Sequence, residues 1–342
     1  MKKAFHAAAL FLTVALAACE HKELCYDHPH TADVDIVFDW QTYSPDAEDN
    51  NEVESMCLWF YPVDDEGHRT GDPIYYSLKG MKGGRISVPV GRYGVIYYNN
   101  DYERVQFRGV EKFLTHECYT REGGLFESVY GNASAYDAPR AEGTEEEPVK
   151  ITPDKMWGDN AMNVNITEDG LSYWFIRDGE TEITTIDNPD NRFLLMPHEQ
   201  VCDYTYEIVN VENLKHVSQV CATLSGMSGS VFCAREALTE ECVTLPVATF
   251  SDGKTTLTGA FHTFGQCEDN EDKHILTVYV WLEDGTKWYY ENDVTDQVNH
   301  APDRRNVHIF IDGLKLPKPI ENGGGFQPDV EDWNQVDVDI EM

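Results

Sequence analysis

The sequence predicts an all-β protein built as two β-sandwich domains. Short stretches with alternating or continuous apolar character recur along the chain at the roughly 8–12-residue spacing of sandwich strands. Helical periodicity is scarce. With 41% hydrophobic and 12% aromatic residues, the 342-residue chain has ample material for a core and is not a disordered acidic polymer.

The elements follow in order. Lys2 and Lys3 precede an apolar stretch from Ala4 to Leu16, interrupted by His6 and Thr13. That is shorter than the about 20 apolar residues a membrane-spanning helix needs and has the length of a secretory signal. It runs into Leu16-Ala17-Ala18-Cys19, which resembles the bacterial lipobox. Residues 1–18 are therefore expected to be a signal peptide. Cys19 is the expected lipidation site, carrying palmitate-type acyl chains, and residues 19–33 are an anchor and tether. Two or more acyl chains make membrane attachment stable, at about 0.8 kcal/mol per buried methylene.

The N-terminal sandwich is expected over 34–136. Val34 to Trp40 alternates apolar and acidic residues, the pattern of a half-buried strand. Ser55 to Val63 is more continuously apolar and reads as buried on both faces. Arg85 to Val88, Tyr93 to Asn99 and Arg104 to Gly109 are further strands, the first two joined at Pro89-Val90-Gly91. From Asp137 to Pro153 the chain turns acidic and Pro-containing, a linker or long loop.

The C-terminal sandwich is expected over 154–342. Its last long hairpin turns at Asp284-Gly285. Val231 to Cys242 has the pattern of two helical turns and Asp293 to Asn299 of one. Asn306 to Leu314 and Val336 to Met342 alternate strictly, and the latter is expected to pair within its own chain.

The formal net charge is -35, from 61 acidic and 26 basic residues. Phosphate repulsion disfavours nucleic acid, and an anionic lipid surface is disfavoured too, so lipid must do the anchoring. Leaving Cys19 aside, the remaining cysteines are Cys25, Cys57, Cys118, Cys202, Cys221, Cys233, Cys242 and Cys267. An even number in an exported protein permits disulfides. Cys57 and Cys221 sit in apolar runs and read as small buried hydrophobes. Cys233 and Cys242 are a candidate pair.

The lipobox, "HKELCYDHPH", the strand ending "FDW", "VPVGRYGVIYYNND", "ATLSGMSGSV" and the tail "FQPDVEDWNQVDVDIEM" together resemble a lipoprotein family of Bacteroidales. More distantly, the layout is similar to the fimbrillin superfamily, including its accessory and anchor lipoproteins of the Mfa2 and FimB kind. That resemblance implies two sandwiches of transthyretin-like topology, export as a lipoprotein, and assembly into or anchoring of surface pili. No pilin-type arginine cleavage site precedes the first strand, which points to an anchor or accessory rather than a stalk subunit.

No motif argues for an enzyme, and no catalytic, cofactor-binding or metal residues are assigned. Cys25, Asp27, His28 and His30 are metal-ligand types, but read better as a polar tether. Ser225 to Ser230, "SGMSGS", falls short of a nucleophile elbow because Ser230 replaces the second glycine; it reads as a flexible turn. Asp187 to Asn191 and Glu268 to Asp272 are acidic loops with oxygen ligands for calcium, without the EF-hand pattern.

The expected function is a lipid-anchored outer-membrane protein facing the cell surface, a structural accessory or anchor of a fimbria-like assembly. Its partners would be fimbrial subunits or other surface lipoproteins, engaged by β-strand addition. The alternative is a glycan-binding surface lipoprotein using Tyr97, Tyr98, Trp281, Trp288, Tyr289 and Tyr290. Exposure of these rings separates the two readings.

Overall fold

A computed structural model describes residues 30–50, 52–130, 138–176, 183–235, 237–267, 273–319 and 333–337. Cys19, Cys25, Asp27, His28 and the loop Glu268 to Asp272 lie outside them. The chain opens with β1 (Thr31–Phe38), helix α1 (Pro45–Asn50), β2 (Ser55–Val63), β3 (Ile74–Lys79), β4 (Gly83–Pro89) and β5 (Gly91–Asn99). Two short strands follow, β6 (Val105–Arg108) and β7 (Glu117–Thr120), with a one-turn helix α2 (Glu127–Tyr130). Then come β8 (Trp157–Ile166), β9 (Leu171–Ile176), β10 (Ile183–Asn188), β11 (Arg192–Leu195) and β12 (His198–Glu199).

These strands form the first sandwich. One sheet has the order β11-β1-β4 and the other β10-β9-β8-β5-β2-β3, with β12 on β8. In β1, Val34, Ile36 and Phe38 face inward while Asp33 and Asp35 alternate with them, so the apolar/acidic alternation read from the sequence is the pleat itself. The linked strands β4 and β5 do not form a hairpin; they separate at Val90 into opposite sheets.

The remaining strands are β13 (Cys202–Glu212), β14 (Val217–Ser228), β15 (Ser230–Phe232), β16 (Ala237–Leu238), β17 (Cys242–Ala248), β18 (Phe250–Ser251), β19 (Leu257–Thr263), β20 (Ile275–Leu282) and β21 (Lys287–Asp293). Helix α3 (Thr295–Asn299), β22 (Asn306–Lys315) and β23 (Asn334–Asp337) complete them. The second sandwich packs β18-β19-β13-β22 against β17-β14-β20-β21-β23. Its core includes Tyr206, Leu224, Val278, Tyr290 and Ile309. The Asp284-Gly285 turn lies between β20 and β21 as expected, with Gly285 at φ 84°.

A small sheet of order β16-β15-β7-β6 sits between the sandwiches. It buries Cys118, Val231 and Cys233 against Cys57, Ile96 and Tyr98 of the first sandwich and Phe264 of the second.

Three expectations are corrected by this pairing. Strands β8 to β12, between 157 and 199, add to the first sandwich, so the division expected over 137–153 does not separate the two sheet systems. Nor are the described residues of that stretch a loose linker: Ala141, Thr144, Lys150, Ile151 and Thr152 are buried. Polar, proline-bearing composition signals loop but carries no information about which distant strands pair. Second, Val231 to Cys242 is not helical but crosses as the β15–β16 hairpin, paired with β7, because its apolar residues are drawn into the sheet between sandwiches. Third, the disulfide joins Cys242 to Cys267, not Cys233. Cys267 N–H donates to Gly226 O, which brings its loop beside the start of β17, whereas Cys233 is buried between the sandwiches. With a sequence separation of 25, this crosslink should contribute about 3 kcal/mol. Cys242→Ala is expected to lower the melting temperature by several degrees, and the untreated protein should show one thiol pair protected from alkylation until reduced.

Ser225 to Ser230 is likewise not a flexible turn. Ser225, Ser228 and Ser230 are buried. Gly226, at φ 75°, stands where the β14–β17 register shifts between Leu224 and Met227, and lets the strand pass from one sheet into the next. Ser230 Oγ donates to Glu117 Oε1 at 2.5 Å, where Glu117 also takes a two-pronged hydrogen bond from Arg108. Burial works to raise the Glu117 pKa, but these donors outweigh it and hold it below the ordinary carboxylate value.

His116 is fully buried beneath the small sheet, ringed by Trp59, Tyr61, Tyr98 and Phe107. With Tyr61 O–H donating to Val110 O, the neutral ring donates from Nδ1 to Tyr61 and accepts at Nε2 from Tyr98. Burial pushes its pKa down to about 4 from 6.5. Below pH 6.5 the unfolded chain takes up a proton that the folded chain refuses until about pH 4. Stability from this group is thus complete above 6.5 and falls by about 3 kcal/mol as pH drops across that window. His116→Gln, which keeps one donor and one acceptor, should flatten that part of a denaturation-versus-pH curve.

Candidate functional site

The second sandwich shows how its sheet edges are closed. At one end of its larger sheet, Thr244 of β17 turns its backbone outward, donating to Pro148 O and accepting from Lys150 N–H. Two residues on, the same outward position is Pro246, which has no N–H to offer an incoming strand. In the smaller sheet, β18 is only two residues long. At the opposite edge, the Gln297 side chain of α3 pairs with the outer face of β22: Nε2 donates to Phe310 O at 3.0 Å and Phe310 N–H donates to Oε1 at 2.8 Å. A side-chain amide there takes the place of a neighbouring peptide. Such devices keep exposed strand edges from pairing with other chains.

The remaining edge is β21, and it is closed by the C-terminal strand. β23 lies parallel to it with Trp288 opposite Asn334, Tyr289 opposite Gln335, Tyr290 opposite Val336 and Glu291 opposite Asp337. The tail therefore pairs within its own chain over 334–337, as expected; the rest of the predicted strand lies outside the described residues.

Just before this ladder, Trp333 enters an aromatic cradle. Its ring stacks on Phe126 with centroids 5.5 Å apart and meets Tyr279 at 5.3 Å and Trp281 at 5.1 Å edge-on. Lys287 Nζ stands 5.9 Å from the ring centroid. Asn334 Nδ2 donates to Lys287 O at 3.1 Å. Two regions far apart in sequence build the cradle. β20 places Tyr279 and Trp281 on one face by strand alternation, and the segment Leu125–Phe126 lays Phe126 over them. Tyr279 O–H donates to Pro139 O at 2.8 Å, tying the same face to the segment read as a linker.

The rings named for glycan stacking are not a platform. Tyr97, Tyr98, Trp281, Tyr289 and Tyr290 are buried, and Trp288 is half-buried against the core. Alternation in two-layered sheets turned them inward. His30 pairs with Glu168 at 2.6 Å. In the loop Asp187 to Asn191, the Asn188 side chain is spent on the turn, donating to Arg192 O and accepting from Asp190 N–H. Sequence reasoning missed Phe126, Gln297 and Trp333 as members of one closing system. Pro246 inside an apolar run was a readable sign of an edge strand; the other three carried no local signal.

Residues 18–248 match the family described as "Domain of unknown function (DUF5119)". A 105-residue stretch, 31% of this chain, is 33% identical to the "Putative fimbrium anchoring subunit Fim4B" of Bacteroides ovatus strain ATCC 8483, and spans 28% of that protein's length. Among solved structures, a "putative adhesin" from Bacteroides ovatus ATCC 8483 aligns with a TM-score of 0.55 at 20% identity, over 85% of this chain and 95% of the other. The fimbrial anchor protein Mfa2 from Porphyromonas gingivalis aligns at 0.45 and 12% identity, over 83% and 91%. The resemblance read from the sequence thus holds at the level of fold and family.

Proposed function

This chain belongs to the DUF5119 family, and from that premise we propose that it is a lipid-anchored accessory or anchor subunit of a surface fimbria. The acylated Cys19 holds it in the outer membrane, and the folded sandwiches stand at the cell surface. Its role is structural rather than enzymatic. The match to a fimbrium anchoring subunit supports this reading.

Partner subunits are engaged by β-strand addition. The observation that carries this is the contrast between edges. β17 and β22 are capped by fixed neighbours within the fold, while β21 is capped by a C-terminal strand whose parallel ladder, among the described residues, covers 334–337. Such a strand can be exchanged, either by giving up its place to a partner's segment or by being donated. Main-chain hydrogen bonds then supply affinity and side-chain pockets supply specificity.

Crosslinking and pull-down from intact cells tests the proposal. The expected result is a fimbrial subunit or a neighbouring surface lipoprotein as the main partner. Recovery of free glycan, or of no envelope partner, would set the reading aside.

A further inference from the structure

The short strand β18 covers only part of its neighbour. It pairs with β19 at two positions, Phe250 opposite Thr258 and Ser251 opposite Leu257, whereas on its other side β19 pairs with β13 as far as Thr263. Asp203 N–H donates to Arg305 O, toward β22, so Tyr204 and Tyr206 turn their backbone toward β19 and meet Phe261 and Gly259. The alternate residues of β19 therefore aim their N–H and C=O away from β13. Thr258 meets Phe250 there; Ala260 and His262, next along the same edge, have no backbone partner among the described residues.

This stretch of edge lines a cleft of about 930 Å³, whose other walls include Pro246 of β17, Phe250, Pro153 and Arg104. Ala260 is exposed and Phe261, beside it, is buried toward the core. A chain laid along the edge would point one side chain inward beside Phe261 and Pro246 and its two neighbours outward. Phe250, on the same wall, is 65% exposed, apolar surface that a bound chain would remove from water. The unpaired groups recur at every second residue, the repeat of an extended peptide backbone rather than of a sugar's hydroxyls. Pro153 and Pro246 on the walls have no N–H to offer such hydroxyls. A second copy of this chain is opposed by the net charge of -35 on each.

We infer that the β19 edge from Ala260 to His262 is a peptide-binding site, separate from β21, for an extended segment of a partner protein. The segment runs antiparallel to β19, because one residue then satisfies both the N–H and the C=O of Ala260 and another those of His262. Between them an apolar residue faces inward opposite Phe261.

A random decapeptide library displayed on phage, selected on the full chain and counter-screened on Ala260→Pro, tests this. The Ala260 N–H faces away from β13, so proline there removes the outward donor without breaking the β13 ladder. Selected peptides are expected to centre on an apolar residue and to bind the native chain about tenfold tighter than Ala260→Pro. Equal binding to both chains, or no enrichment at all, would overturn the inference. So would oligosaccharide binding on an array that is lost with Phe250→Ala and kept with Ala260→Pro, the pattern of a sugar site. Should Ala260→Pro fail to fold, amide exchange in the native chain decides. Ala260 and His262 are expected to exchange fast and Gly259 and Phe261 slowly, and a saturating selected peptide is expected to slow the first two about tenfold. Protection of Ala260 and His262 before any peptide is added, or no change on adding it, overturns the inference.

Discussion

Cys19→Ala is expected to release the protein from the membrane fraction. The physical case is that other attractions to the bilayer are weak. Among the described residues no helix is long and apolar enough to cross a membrane. A net charge of -35 opposes adsorption to anionic lipid. On the proposed lipidation, acyl chains at Cys19 would carry the attachment, at about 0.8 kcal/mol per buried methylene, and losing them would remove nearly all of it. Fractionation of cells expressing the variant should show the protein moved to the soluble pool with its signal processed differently. A variant that stays in the membrane, cut at the same place, would refute lipidation at Cys19. Protease shaving of whole cells then tests the face: degradation is expected, and full protection would place the protein on the inner leaflet.

Deleting Trp333 to Met342 is expected to destabilise the second sandwich and to make it aggregate. Trp333 loses its three ring partners, and the outer backbone of β21 loses its ladder. Removal of a partly buried indole and its edge contacts amounts to about 2–3 kcal/mol. The opened edge matters more than that figure, because β21 would become the one long edge of the larger sheet without a cap, beside a strand as apolar as β20. Thermal melts with light scattering should show a lower transition and earlier association. Trp333→Ala alone should lower the melt without the association, since the ladder is kept. An unchanged melt for the deletion would mean that β23 contributes no closure. Hydrogen exchange in the intact chain adds a separate reading: protection across Gln335 to Asp337 marks a docked strand, and fast exchange there favours a tail held ready for donation.

Local pattern was a sound guide wherever the residue period equals the pleat. Val34, Ile36 and Phe38 are buried, and Asp33, Asp35 and Val37, which alternate with them, are more exposed. Asn306 to Lys315 does the same with Val307, Ile309 and Ile311 inward. Cys57 and Cys221 sit in apolar runs and are buried. Pattern failed where two periods give the same short apolar segment. Val231 to Cys242 could have packed as a helix, and only its pairing with Glu117 and Cys118 of β7 makes it a hairpin. Pattern left open whether Tyr97, Tyr98 and Tyr290 face core or solvent, since an aromatic in a strand faces one or the other according to which layer covers it; all three are buried.

By itself the sequence determined the β class, the position of most strands, and a C-terminal segment suited to a sheet. Each is a property of residue order over a few positions, where steric preference and alternation act directly. Tertiary structure alone decided that β8 to β12 return to the first sandwich, that Cys242 meets Cys267, that Gln297 caps β22, and that Phe126 roofs the Trp333 cradle. Those depend on which distant surfaces bury one another best, a competition among long-range pairings that no window of sequence contains.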